Sequence, residues 1–218
     1  MDLAFLKEQA PFEFNEIFEL NVYLMSRENI EGYSVLDLGG HFGLFASYCS
    51  TFNPKRIVSV EANINNFIKY LNNTKDIPNV KCINAAVSTK QNTVLTISDE
   101  QGSSIVGKGD QLVASITIES LISIFDPNDK LVLKIDIEGS EYDIFYNTPP
   151  DVFRRFHTIM MEAHNFHPET RGDEADRLKQ YITSMGFTPS TNFHVWSPEY
   201  DEKYNGMKVA MMYNFVRN

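Results

Sequence analysis

Apolar residues in this chain gather into short runs, and most of those runs stop at an acid or a glycine. Val35, Leu36 and Leu38 form a run of the kind that fills a buried parallel strand, and Gly39 and Gly40 end it. Arg56 to Val60 is β-branched and ends at Glu61; Val80 to Asn84 is a third run. Leu131 to Ile135 is the most continuous apolar strand and runs into Asp136, and His157 to Met161 runs into Glu162. Helical spacing separates these runs. Leu44 to Cys49 reads as a helix opened by Gly43, and Asn63 caps a helix through Leu71, closed by a turn over 72–78. Further helices are expected from about Tyr142 to Tyr146 and from Glu174 to Met185, the latter ended by Gly186. The distance from Asp37 to Glu61 suits one strand–helix–strand unit, and the pattern is that of an α/β protein.

Other stretches fit less tightly. Phe14, Ile17, Phe18, Val22 and Met25 recur at helix spacing, so a helix is expected within 12–29, starting near Pro11. It packs on the sheet edge or covers the ligand pocket. Thr93 to Ile97 alternates as a strand, and 98–110 is polar and glycine-rich, as in a hairpin or excursion with a mobile loop. Ile116 to Ile122 leads into a short helix. Val195-Trp196 and Lys208 to Val216 read as two last strands, antiparallel neighbours, with a polar turn over 199–204.

A length of 218 residues suits one α/β domain, here an N-terminal helical segment over 1–33 and a core over 34–218. Cys49 and Cys82 read as small buried residues, without a zinc or disulfide framework, which makes a reducing cytoplasm the expected setting. No apolar run has the length of a membrane helix, and Met1 to Glu8 does not read as a signal peptide. The formal net charge is −10, with no basic run, which argues against a nucleic-acid partner. Nothing in the sequence sets the oligomeric state.

Candidate chemistry sits at the strand ends, where open α/β sheets bind ligands. Asp37-x-Gly39-x-x-x-Gly43 lacks the middle glycine of a dinucleotide fingerprint. Asp37 would repel a pyrophosphate but suits a cationic amino group. Glu61 can accept hydrogen bonds from two ribose hydroxyls, although a loop acid or helix-start charge would look the same. Asn84, Ala85 and Ala86 leave room for a flat base. Asp136, Glu138 and Glu141 crowd one strand-to-helix turn, where some acids serve only the helix start. Glu162 and His164 close the next strand at the same edge, and a histidine there can take a proton near neutral pH.

Three blocks together resemble the FkbM family of S-adenosylmethionine-dependent methyltransferases: Val35 to Gly43, Val58 to Asn63, and Lys134-Ile135-Asp136-Ile137-Glu138-Gly139-Ser140-Glu141. Glu162-Ala163-His164 is similar to that family's late acid-and-histidine motif. The resemblance implies a Rossmann-like class I fold, a seven-stranded, mostly parallel sheet between helix layers with the last strand antiparallel. It also implies methyl transfer to a hydroxyl of a sugar or secondary metabolite. Carried over, Asp37 meets the methionine amino end, and Gly39, Gly40, His41, Phe42 and Gly43 form the turn beneath it. Glu61 holds the ribose, Ala62 lies beside the adenine, Asn84 and Ala85 at its edge, and Asp136 beside the methyl donor. Glu138 and His164 face the acceptor. His41 stands where the family commonly has asparagine, and Ile118-Glu119 where it has a leucine–aspartate pair.

The cofactor carries the activated methyl, so the protein must align an acceptor and remove a proton. His164 is the expected base, with Asp136 or Glu162 orienting it or the acceptor. A divalent ion on Asp136 and Glu162 is a variant of the same site, and the sequence leaves the need for a metal open. A cofactor-binding partner protein without catalysis is the alternative from another class; an NAD enzyme is a second, disfavoured by the missing glycine.

Overall fold

A computed structural model describes residues 3–97, 111–164, 174–194 and 210–217, the last four residues of the third stretch by their backbone alone. The main sheet is built from β1 (Ser34–Leu38), β2 (Arg56–Glu61), β3 (Val80–Asn84), β7 (Leu131–Ile135), β8 (Phe156–His164), β9 (Phe187–His194) and β10 (Ala210–Arg217). Their order is β3-β2-β1-β7-β8-β10-β9. The first five lie parallel, and β10 runs antiparallel between β8 and β9. A second sheet of three strands, β4 (Ala86–Val87), β5 (Val94–Ile97) and β6 (Gln111–Ile116), lies between β3 and β7 in the chain. β5 and β6 pair antiparallel, the excursion expected there; the stretch 98–110 lies outside the described residues.

The central strands are buried on both faces, which is why they read as continuous apolar runs. Alternate residues point to opposite faces. Leu36, Leu38, Leu133, Ile135 and Ile159 join one core with Phe145, Phe153, Leu178 and Ile182. These four come from α7 (Glu141–Asn147), α8 (Pro150–Phe153) and α9 (Glu174–Ser184). Val35, Ile57, Val132 and Met160 face the other way. There they meet α4 (Leu44–Ser50), Tyr70 of α5 (Ile64–Thr74) and the N-terminal segment. Asn63 caps α5 as expected, its side chain accepting from the Asn65 and Asn66 amides, and the helix continues three residues past Leu71.

The helix expected within 12–29 is broken. It becomes α1 (Leu3–Gln9), α2 (Pro11–Phe14), one π-helical turn (Asn15–Glu19) and α3 (Arg27–Ile30). Asn21 breaks it. Its amide accepts from the Met25 N–H and donates to the Met25 carbonyl, each at 2.9 Å, and so closes a loop. Asn21 and Leu24 both take positive φ, at 47° and 52°, values that no helix continues through. The apolar positions still find the core: Phe14, Ile17, Val22 and Met25 are all buried. The remaining short helix, α6 (Ile118–Ile122), is capped by the Thr117 hydroxyl. β9 begins directly after Gly186, ahead of the expected Val195-Trp196, which lies outside the described residues together with the turn over 199–204.

Candidate active site

β1 and β7 are adjacent and parallel, so Leu38 and Ile135 are register partners and their exit turns lie side by side. The turns are packed close enough to require glycine. A Cβ on Gly39 would stand 1.8 Å from the Asp136 carbonyl oxygen. Gly43, at φ 81°, serves as the N-cap of α4, and a Cβ there would meet Thr74 at 2.9 Å. The Gly39 and Gly40 amides both donate to the Val60 carbonyl at 3.0 Å, tying the turn to β2. His41, at φ 47°, stacks its ring on Phe42 with centroids 3.8 Å apart.

Glu61 faces this turn from the end of β2. Its carboxylate accepts the His41 N–H at 2.7 Å and the Asn63 N–H at 2.8 Å. Burial outweighs those bonds and pushes its pKa up to about 7. Asn84 braces the same corner, donating to the Glu61 and Ala62 carbonyls at 2.9 and 3.0 Å. Ala85 is buried behind it, its N–H on the Glu61 carbonyl at 3.2 Å.

Asp37 lies fully buried, under the turn. It accepts the Ser59 hydroxyl at 2.7 Å and stands 3.3 Å from the Lys134 ammonium. Lys134 also donates to the Gly39 carbonyl at 2.6 Å and the Leu38 carbonyl at 3.3 Å, and reaches Asp136 at 3.4 Å. Burial favours its neutral amine, but Asp136 and Asp37 overcome this and hold it charged.

The four acids and the histidine expected near one edge do converge. His164 Nε2 lies 3.5 Å from Glu162, 3.6 Å from Glu138 and 4.0 Å from Asp136. Its Nδ1 lies 3.2 Å from Glu141, a residue that reads in sequence as a helix-start charge. Burial disfavours the imidazolium, yet Glu162, Glu141 and Glu138 carry its pKa well above the usual histidine range. Burial and Asp136 push Glu162 up to about 8. Asp136, against burial, is held below the usual carboxylate range by Lys134, His164 and Tyr23. Asp136, Glu138 and His164 offer ligand atoms within 4.8 Å of one another, close enough to share a small cation; Glu162 lies beside this group.

Two residues of the N-terminal segment reach the cluster, and sequence gave no sign of either. The Tyr23 hydroxyl donates to Asp136 at 3.0 Å, from 113 residues away in the chain. Glu16, in the π-helical turn, is pushed up to about 7 by burial and by Asp136. Lys134 did leave a sign: an ammonium inside a run as apolar as Leu131 to Ile135 needs buried partners.

Solved structures share this architecture. Fibrillarin of Aeropyrum pernix, with natively bound S-adenosyl-L-methionine, aligns over 90% of this chain and 72% of its own, at 15% identity and TM-score 0.55. An S-adenosylmethionine-dependent methyltransferase of Mesorhizobium loti covers 92% and 97%, at 9% identity and TM-score 0.52. An rRNA methylase of Streptococcus thermophilus covers 91% and 93%, at 9% identity and TM-score 0.51. At such identities the likeness is one of fold. No curated protein sequence matches the chain. The model of the methyltransferase FkbM domain matches residues 37–189, from the buried aspartate of β1 to β9 and across every strand end described above. The chain belongs to the FkbM methyltransferase family, and its cofactor is S-adenosylmethionine.

Proposed function

We propose that the protein moves the methyl group of S-adenosylmethionine to a hydroxyl oxygen of a sugar or secondary metabolite. The observation that carries this reading is the convergence of Asp136, Glu138 and Glu162 on His164 Nε2, beside the glycine turn. A hydroxyl is a weak nucleophile until a base takes its proton, and His164 is the group of this cluster suited to take it. Glu61 would hold the ribose hydroxyls, each carboxylate oxygen having a lone pair beyond the one its backbone donor takes. Ala62, Asn84 and Ala85 border the adenine. Gly39, Gly40, His41, Phe42 and Gly43 cradle the methionine portion. Asp37, buried beneath, would act on its amino end by holding the turn in place through Ser59 and Lys134. Asp136 faces the methyl donor, and Glu138 and His164 face the acceptor.

Bound S-adenosylmethionine would supply an activated methyl group, so that no protein nucleophile is needed. The acceptor's hydroxyl proton would pass to His164 Nε2. Glu162 and Asp136 orient the ring and acceptor. The acidic charge of −10 supports a neutral small acceptor over a nucleic acid. Two free thiols agree with work in a reducing cytoplasm. Among the described residues no helix is long and apolar enough to cross a membrane.

Thermal melting with S-adenosylhomocysteine, S-adenosylmethionine, NAD and ATP in parallel tests the cofactor half. At 100 times its Kd a ligand adds about 2.7 kcal/mol, or about 5–10 °C for a chain of this length. The S-adenosyl ligands alone should give that shift, and Glu61→Ala should lose it. A shift with NAD or ATP only would overturn the reading. The acceptor half is tested by turnover of hydroxylated sugars and metabolites, with His164→Ala expected to lower kcat by about 10²–10⁴-fold.

A further inference from the structure

Glu141 is the first residue of α7 and has no exposed surface. One of its carboxylate oxygens, Oε1, serves two elements at once. It accepts the Ile137 N–H at 2.8 Å, from the turn that follows β7, and it meets His164 Nδ1 at 3.2 Å, on β8. The turn it braces is backbone that would not hold itself: Glu138 and Gly139 both take positive φ, at 55° and 93°. An ionised carboxylate only accepts, so the ring nitrogen facing it must carry the hydrogen. The opposite nitrogen then points toward Asp136, Glu138 and Glu162.

We infer that Glu141 is the positioning residue of the site: it fixes His164 as the Nδ1–H form and aims Nε2 at the acceptor. This deepens the reading of His164 as the base. A ring free to turn, or one carrying its hydrogen on Nε2 when neutral, would present no lone pair where the hydroxyl proton leaves. The same oxygen sets the Asp136-to-Ser140 turn, so ring and turn are aligned by one group. Glu141 itself touches neither cofactor nor acceptor.

The test is nitrogen-15 NMR on histidine-labelled full-length protein with S-adenosylhomocysteine bound; the chain has five histidines, and His164→Gln identifies the signal. In the wild type, His164 Nδ1 should carry its proton at every pH at which the protein is folded. Glu141→Gln keeps an acceptor oxygen and should keep that signal; Glu141→Ala should lose it at the pH values where the ring is neutral. Retained S-adenosylhomocysteine affinity in either variant shows that the fold survives. Once an acceptor is in hand, Glu141→Ala should lower kcat by about 10–100-fold, with KM for S-adenosylmethionine within about twofold, and Glu141→Gln should recover part of the loss. An unprotonated Nδ1 in the wild type, which needs no variant, overturns the inference. So does an unchanged Nδ1 signal from the neutral His164 ring in a folded Glu141→Ala protein. Failure to bind S-adenosylhomocysteine at all would instead strike the cofactor reading.

Discussion

Lys134 is an ammonium ion enclosed by two carboxylates and two carbonyl oxygens, with 3% of its side chain exposed. Removing one partner of a buried ion pair costs about 3–5 kcal/mol, because the other charge stays buried. Lys134→Met strands two such charges, Asp37 and Asp136. Its melting temperature should fall by at least about 6 °C, read by calorimetry without ligand; a smaller drop would mean that water reaches the carboxylates. Glu162→Gln acts on the proton rather than the fold. The imidazolium of His164 is held on by its neighbours, so the base-competent ring is the deprotonated one, and kcat/KM should still be climbing with pH above the usual histidine range. Taking away the carboxylate nearest Nε2 weakens that hold. The rising limb in Glu162→Gln should therefore move to lower pH, and a limb that stays in place would remove Glu162 from the acceptor step.

Strands that end at chemistry were legible because burial on both faces writes itself as an unbroken apolar run; Leu131 to Asp136 is the clearest case. The strand β9 was not. Pro189 argues against a strand, and it is tolerated here because β9 is the sheet edge and its pairing with β10 shifts register beside this residue. The N-terminal segment hid a different fact. Periodicity registers which residues are buried, and it found Phe14, Ile17 and Met25, but it is blind to a loop closed by the Asn21 amide. Nor can it join Tyr23 to Asp136 across 113 residues. That contact makes the segment part of the site as well as a covering for the sheet. Tyr23→Phe should leave S-adenosylhomocysteine affinity within about twofold and lower kcat by about tenfold, the value of a modest hydrogen bond to a charged group. Unchanged turnover would reduce the segment to packing.

For the whole molecule, opposite pKa shifts set the pH at which it is most stable. Asp129 joins the starts of β1 and β2 through Ser34, Lys55 and Arg56. Burial opposes its charge, but those partners hold its pKa at about 2. Its contribution is present above about pH 4 and is lost as pH falls through about 2. Glu16, Glu61 and Glu162 are raised, to about 7, 7 and 8. Their contribution is present below about pH 4.5 and disappears as pH rises through those values. The ligand-free protein should therefore melt highest at about pH 4 to 4.5 and lose stability steadily toward pH 8. A scan of melting temperature from pH 3 to 9 checks this; a flat profile up to pH 8 would show that the three carboxylates are better solvated than their burial implies. Asp129→Asn should flatten the acid side alone.

The contact between Gly39 and the Asp136 carbonyl, with Lys134 bonded to both sides of it, has a consequence for motion. Neither turn has slack to open while the other stays shut. Their amides should exchange with deuterium as one unit, at one rate and with one dependence on denaturant, although nearly a hundred residues separate them in the chain. A cofactor bound against the first turn would then slow exchange at the second by the same factor, and the acid side of the site would register that the donor has arrived before any acceptor does.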